Sequence, residues 1–301
     1  MVDNTFIQKI ADKIIDLNAF GTRKLAKYLL YFLIRKPNEK MNVKTLHDFV
    51  MAIHPAQDKA GVEHEIYYKG TYEKGTLNLI KQLLSKDKNM LDIGANIGFV
   101  SLYASTIVGS NGRIFSFEAN PETVPLLEEN IRINSFENIH VFPFGLGLET
   151  ERLKIFPETI DQNRGAASLD GSVSQGERYI EIDVKKLDDV KIELPISLLK
   201  IDVEGWELNV LMGAKQFLQT QNFPSIVWEC CLDRVNGVGS PVDIFNYLSS
   251  FNQYEFFIFD NGKDRNSKLL KITTTPQLPY HDNVVCISKK RISTLNPSIF
   301  A

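Results

Sequence analysis

The sequence predicts an α/β fold with a mostly parallel sheet, helices on both faces and an antiparallel last strand. Three observations lead there. Short apolar runs alternate with amphipathic stretches from about residue 90 to residue 250. The run Met90–Ile93 passes straight into a turn bearing Gly94 and Gly98, and then into a helical pattern. The two closing runs, Glu255–Phe259 and Asn283–Ser288, have no helix pattern between them, so they are expected to pair antiparallel at one edge.

Taken in order, residues 1–36 carry apolar residues at helical spacing (Phe6, Ile10, Ile14, Leu17, then Leu25, Leu29, Phe32), with Gly21 as the interruption and Pro37 as the stop. Residues 38–70 are polar and weakly periodic and read as irregular. A helix pattern returns over Tyr72–Leu84. Residues 1–70 are thus expected to form an N-terminal helical extension, 71–290 the main domain and 291–301 a tail. Within the domain the strands are Met90–Ile93, Arg113–Phe117, Ile139–Phe144, Ile196–Ile201 and Ser225–Trp228. The helices between them are Phe99–Val108, Pro121–Ile133, Glu204–Leu218 and Pro241–Ser250. Asn120 and Pro121 have the chemistry of a helix start. Pro143 marks an edge or a strand end, because it cannot donate to a ladder. The alternation breaks at about 146–195. There Arg152–Phe156 and Tyr179–Val184 predict a β-hairpin insertion around a polar loop at 163–174, placed where a substrate-binding element is often found.

Composition narrows the function. A net charge of −3 gives no polycationic field, which argues against nucleic acid as the main partner. Cys230, Cys231 and Cys286 have neither zinc nor disulfide spacing, so a reduced, cytoplasmic setting is expected. Asp3, Lys9 and Asp12 break up any signal-peptide core, and the run Tyr28–Ile34 is too short to span a bilayer. Lys24, Lys27, Arg35 and Lys36 flank that run. The N-terminal helices therefore pack on the main domain or on a second copy of the chain, or rest on an anionic membrane surface.

The sharpest local feature is MLDIGANIGF, residues 90–99. It lacks the G-x-G-x-x-G that holds a pyrophosphate in dinucleotide-binding folds, and it places Asp92 just before the turn. That suits a ligand with a cationic amino-acid tail and no phosphates. Gly94 and Gly98 are expected to let it approach the backbone closely. Glu118, about twenty residues after Gly98, closes the next strand where a carboxylate can accept bonds from both ribose hydroxyls.

These segments, with YEKGTLNLI (72–80), FSFEANPE (115–122) and above all LLKIDVEGWELNVLMGA (198–214), resemble the FkbM family of methyltransferases over roughly residues 70–290. The resemblance implies a Rossmann-like class I methyltransferase sheet, S-adenosylmethionine as cofactor, and O-methylation of a hydroxyl on a sugar, a glycan or a related small metabolite. It also implies a donor site drawn from Glu73, Asp92, Gly94, Ala95, Asn96, Gly98, Glu118 and Ala119. The aspartate that many methyltransferases place after the third strand is replaced by Phe144 and Gly145, so adenine is expected to rest on backbone and apolar contacts there.

The acceptor side is expected at the end of the fourth strand. Period two puts Lys200 and Asp202 on one face, where Asp202 orients or deprotonates a hydroxyl and Lys200 either assists or simply pairs with it. Glu229 projects into the same region. Glu204, in the first helical turn, is favoured there by the helix dipole alone. His281 is the alternative base. Asp202, Glu204 and Glu229 together have the chemistry of a magnesium site, but sequence spacing does not bring them together, and no metal is assigned. Two other classes remain: a non-catalytic S-adenosylmethionine-binding scaffold, and a Rossmann oxidoreductase, which the missing G-x-G-x-x-G disfavours.

Overall fold

The computed structural model describes residues 3–17, 21–35, 37, 39–58, 61–157, 178–232 and 239–301. The expected polar loop at 163–174 lies outside them. Two helices come first, α1 (Thr5–Asp16) and α2 (Thr22–Leu33). Their inner faces bury Gln8, Ala11, Ala26 and Leu30, while Phe6, Leu17, Leu25, Tyr28 and Phe32 stay exposed. No helix among the described residues is long and apolar enough to cross a membrane.

The segment read as irregular is ordered. Strands β1 (Met41–Lys44) and β2 (Val50–Ile53) form an antiparallel hairpin, followed by helix α3 (Val62–Lys69). The sequence pattern hides this because the strands are only four residues long and their burial comes from contacts far along the chain. Helix α4 (Lys74–Leu83) then leads into the sheet.

Eight strands make the main sheet. In chain order they are β3 (Asn89–Ile93), β4 (Ile114–Phe117), β5 (Ile139–Phe142), β9 (Ile196–Ile201), β10 (Ser225–Cys231), β11 (Tyr254–Phe259), β12 (Leu269–Ile272) and β13 (His281–Ser288). Their spatial order is β12-β11-β13-β10-β9-β3-β4-β5. Strands β10, β9, β3, β4 and β5 run parallel, and β13 is antiparallel to both of its neighbours. The last strand is therefore inserted inside the sheet rather than at its edge. The edge is β12, a short strand that sequence periodicity did not reveal. Strand β5 forms the opposite edge and ends just before Pro143, as a residue without an N–H requires.

Side chains alternate between two cores, as the period of a strand demands. Met90 and Leu198 face a core shared with α4, with α5 (Phe99–Val108) and with the N-terminal elements. Leu91, Ile93, Leu199 and Ile201 face the other core, under α7 (Glu207–Met212), α8 (Lys215–Thr220) and α9 (Pro241–Ser250). The N-terminal hairpin is tied to α6 (Val124–Ile133) by hydrogen bonds as well as by packing. Asn130 Oδ1 accepts from Ala52 N at 2.6 Å and Asn134 Oδ1 from Val50 N at 2.8 Å, which satisfies an edge strand with side chains.

Two helix starts differ from expectation. Helix α6 begins at Val124, because Asn120 Oδ1 accepts from Glu122 N and folds residues 120–123 into a turn that precedes the helix. The predicted helix Glu204–Leu218 is two short helices, α7 and α8, divided near Gly213. Glu204 lies before them with φ +56°, so the helix-dipole account of it fails. The insertion is a three-stranded sheet, β6 (Gly145–Leu146), β8 (Ile180–Lys185) and β7 (Glu151–Ile155), whose β7–β8 hairpin matches the alternating runs.

Candidate active site

In an open parallel sheet, ligands bind beyond the carboxyl ends of the strands where the chain reverses its winding direction. Here that point lies between β3, which continues outward to β4 and β5, and β9, which continues to β10. A cavity of about 340 Å³ opens there. Asp92, Gly94 to Ile97, Glu118, Ala119, Phe144 and Gly145 line it, and so do Glu73, Lys200, Asp202, Glu229 and His281. Every assigned site residue except Gly98 is thus in the wall of one cavity, and Gly98 caps α5 directly behind it.

The turn after β3 is locked to the strand beside it. Gly94 has φ +80° and its N–H donates to Phe117 O at 3.0 Å. An added Cβ at Gly94 would collide with the backbone carbonyl of Asp202, and one at Gly98 would press on Leu127. The glycines are therefore needed for this packing of protein on protein, whatever a ligand requires of the same turn. Glu118 holds the next corner. Its two oxygens accept from Asn96 N and Asn120 N, each at 2.8 Å, so its plane is fixed while each oxygen keeps a further lone pair. Burial raises the Glu118 pKa, and those backbone donors oppose the rise.

Asp92 is fully buried. Oδ2 accepts from Ser101 Oγ at 2.5 Å, and Oδ1 has no partner among the described residues. Burial raises its pKa, against the pull of the Lys200 ammonium. Trp206 Nε1 is a second buried orphan on the cavity wall. It went unassigned in the sequence, although it stands inside the LLKIDVEGWELNVLMGA segment. One unmet acceptor and one unmet donor on the same wall are what a polar ligand would satisfy. Ile155, Ile182 and Val184 of the insertion form a small apolar cluster over the Ala119 side of the cavity.

The far side of the cavity is a charge network. Lys200 Nζ donates to Asp202 Oδ2 at 2.9 Å, so the ion pair considered for Lys200 is formed. Burial disfavours the Lys200 ammonium, but Asp202 and Asp92 outweigh it and keep the lysine charged. Burial likewise raises Asp202, and Lys200 works against that rise. Lys263, which sequence reasoning missed, lies 2.8 Å from both Glu73 Oε1 and Glu229 Oε1. It follows an Asn-Gly turn after β11 and carried no local signal. It is positioned through Gly75, whose N–H donates to Lys263 O at 2.7 Å and whose missing Cβ leaves room for that loop.

His281 is not an isolated loop residue. It opens β13 opposite Cys231, and its Nε2 stands 3.2 Å from Glu229 Oε1, with half of its side chain exposed. Burial pushes Glu229 up, but the hydrogen bond to His281 and the Lys263 charge pull it further down, to about 2. Glu229 is therefore a fixed anion. Glu73 is also held below its ordinary value: burial raises it, and Lys263 with Lys200 overcomes that. Asn283 Nδ2 donates to Glu73 Oε2 at 3.2 Å, which ties Glu73 into this network as well as into the cavity wall. Oxygens of Asp202, Glu204 and Glu229 do converge, within 4.8 Å of one another. The Lys263 ammonium already supplies a cation to Glu229 there.

A model of the methyltransferase FkbM domain matches residues 92–262. Among curated relatives, Methyltransferase 1 of Beauveria bassiana is 29% identical over 150 residues, 42% of this chain and 58% of that protein. The chain thus spans little more than half of that relative. Hexuronic acid methyltransferase AglP of Haloferax volcanii is 28% identical over 201 residues, 64% of this chain and 78% of AglP. Among solved structures, a SAM-dependent methyltransferase from Aquifex aeolicus aligns over 76% of this chain and 94% of its own, with 11% identity and a TM-score of 0.41.

Proposed function

The chain belongs to the FkbM methyltransferase family, and from that premise we propose that it methylates a hydroxyl oxygen of a sugar or glycan. S-adenosylmethionine is the methyl donor. When bound, it supplies a methyl carbon on a cationic sulfur, which an acceptor oxygen displaces. The residues present fit such a group. The carboxylates of Asp92, Glu118, Asp202 and Glu229 outnumber the ammonium groups of Lys200 and Lys263, so the wall favours a cation. Glu118 has lone pairs free for two ribose hydroxyls. Phe144, Gly145 and the apolar insertion side suit a flat base, and the orphaned Asp92 Oδ1 suits an ammonium donor.

The observation that carries the acceptor chemistry is the His281–Glu229 pair, on the cavity side across from the glycine turn. A sugar hydroxyl is a weak acid, and a base helps mainly as its proton leaves in the transition state. Asp202 is the base that strand-end position suggests. Its 2.9 Å bond to the Lys200 ammonium occupies Oδ2 and fixes the carboxylate in place, which suits it to accept a hydrogen bond and orient the hydroxyl. His281 takes the proton, and the Glu229 anion stabilises the imidazolium that results. Alignment of oxygen, methyl and sulfur supplies much of the remaining acceleration. AglP, named for methylation of a hexuronic acid, supports a sugar as the acceptor class. The test is transfer of labelled methyl from S-adenosylmethionine to a panel of sugars, glycans and non-sugar alcohols. Binding of S-adenosylmethionine without transfer to any sugar in the panel would overturn the acceptor assignment.

A further inference from the structure

Glu65, Glu73 and Asp264 wall the active-site cavity on one side, and the same residues wall a second cavity of about 300 Å³ between α1, α2, α3 and α4. The two spaces differ in charge. The first carries an excess of carboxylates. In the second, Lys74 bonds to Asp12 at 2.8 Å, Lys69 to Glu65 at 2.6 Å, and Glu73 is held by Lys263. Asp264 and Arg265 of the same wall offset each other in charge, and Arg23 and Lys27, both exposed, remain with no carboxylate partner among the described residues. An acidic substituent on an acceptor would be repelled beside Asp202 and Glu229 and attracted here.

The walls also suit a sugar ring. Tyr31 stacks on Tyr68 with centroids 4.4 Å apart, giving a flat apolar face, and Lys27 Nζ lies 5.7 Å from the Tyr31 ring. Gln8 is 1% exposed; its Nε2 donates to Tyr67 O at 2.9 Å, while its Oε1 has no donor among the described residues. An amide fixed at one end and unmet at the other offers a hydroxyl its acceptor. A cavity of this size, largely pre-formed and with a few converging polar groups, has the usual make-up of a small-molecule site.

We propose that the second cavity is an acceptor subsite for a sugar unit bearing a carboxylate or a phosphate, with Arg23 and Lys27 as its anion ligands. The proposal rests on the sugar-acceptor reading above, and it gives the N-terminal helices a role in substrate choice. The experiment is calorimetry on the full chain with D-glucuronate, α-D-glucose 1-phosphate and D-glucose, each with and without S-adenosylhomocysteine. At least one anionic sugar should bind tenfold or more tightly than glucose, and the preference should shrink as salt is added. The winning probe tells carboxylate from phosphate. The Arg23→Gln/Lys27→Gln double variant should lose the preference while its S-adenosylhomocysteine affinity stays unchanged. Equal binding of all three sugars by the wild type, or a preference that survives in the double variant, overturns the subsite. A wild type that keeps the anion preference but transfers labelled methyl to no sugar would overturn the sugar-acceptor reading and leave only an anionic-sugar binding site.

Discussion

The backbone carbonyl of Asp202 occupies the space that a side chain on Gly94 would need. The turn that follows β3 and the end of β9 are thereby keyed to each other, and Asp202 N donates to Ile93 O at 3.0 Å across the same seam. Gly94→Ala should cost more than about 3 kcal/mol, combining a positive φ with a collision against backbone. Gly205 is the internal comparison: its φ is +95°, yet nothing lies within 4 Å of an added Cβ. Gly205→Ala should cost only about 1–2 kcal/mol. Urea denaturation of both variants checks the order, and equal losses would mean that φ alone, not the seam, requires glycine at 94.

Glu118→Ala should weaken binding of S-adenosylhomocysteine about ten- to a hundred-fold, from the loss of charged hydrogen bonds worth roughly 1.5–3 kcal/mol. The same carboxylate clamps Asn96 N and Asn120 N, so a lower melting temperature should accompany the weaker binding. Calorimetry on the folded variant decides: an unaltered dissociation constant would assign the ribose to another residue.

Base and orienting residue are separable by substitution. His281→Ala should lower kcat by roughly 10²–10⁴ with donor affinity nearly unchanged. Asp202→Asn should raise KM for the acceptor more than it lowers kcat. It should also lower stability by about 3 kcal/mol or more, because the buried Lys200 ammonium loses its partner. If the Asp202 variant is inactive while the His281 variant turns over normally, the two roles are reversed.

A pH-dependent instability is built in beside the site. Glu207 is 4% exposed, and burial raises its pKa to about 7, although its Oε1 accepts from Val203 N and Gly205 N. A carboxyl whose pKa is raised on folding gives stability that is complete below its unfolded value, near 4.5, and that is lost as pH rises through about 7. Glu207→Gln keeps an amide oxygen for both backbone donors and removes the titration. Relative to wild type, the variant should gain roughly 2–3 kcal/mol between pH 4.5 and pH 8. Denaturation curves at the two pH values measure it, and a gain that does not change with pH would contradict the assignment.

What the sequence by itself determined is the part of the protein built from neighbours in the chain. Strand, glycine turn and helix over residues 89–108 are one continuous segment, so Asp92, Gly94 and Gly98 announce themselves, and Glu118 follows one strand later. Alternating apolar runs likewise fix a parallel sheet with two buried faces, because burial on both sides demands such runs. Only the tertiary structure assembled the charge network across the cavity. Lys263 reaches Glu73 and Glu229 from a loop about 190 and 34 positions away, and His281 meets Glu229 only because β13 threads between β10 and β11. The 41–53 hairpin and the Asp202–Gly94 seam are of the same kind. Local patterning carries propensity and burial over a few residues, whereas a buried charge network is held by Coulomb and hydrogen-bond contacts between segments with no reason to be close until the sheet has formed.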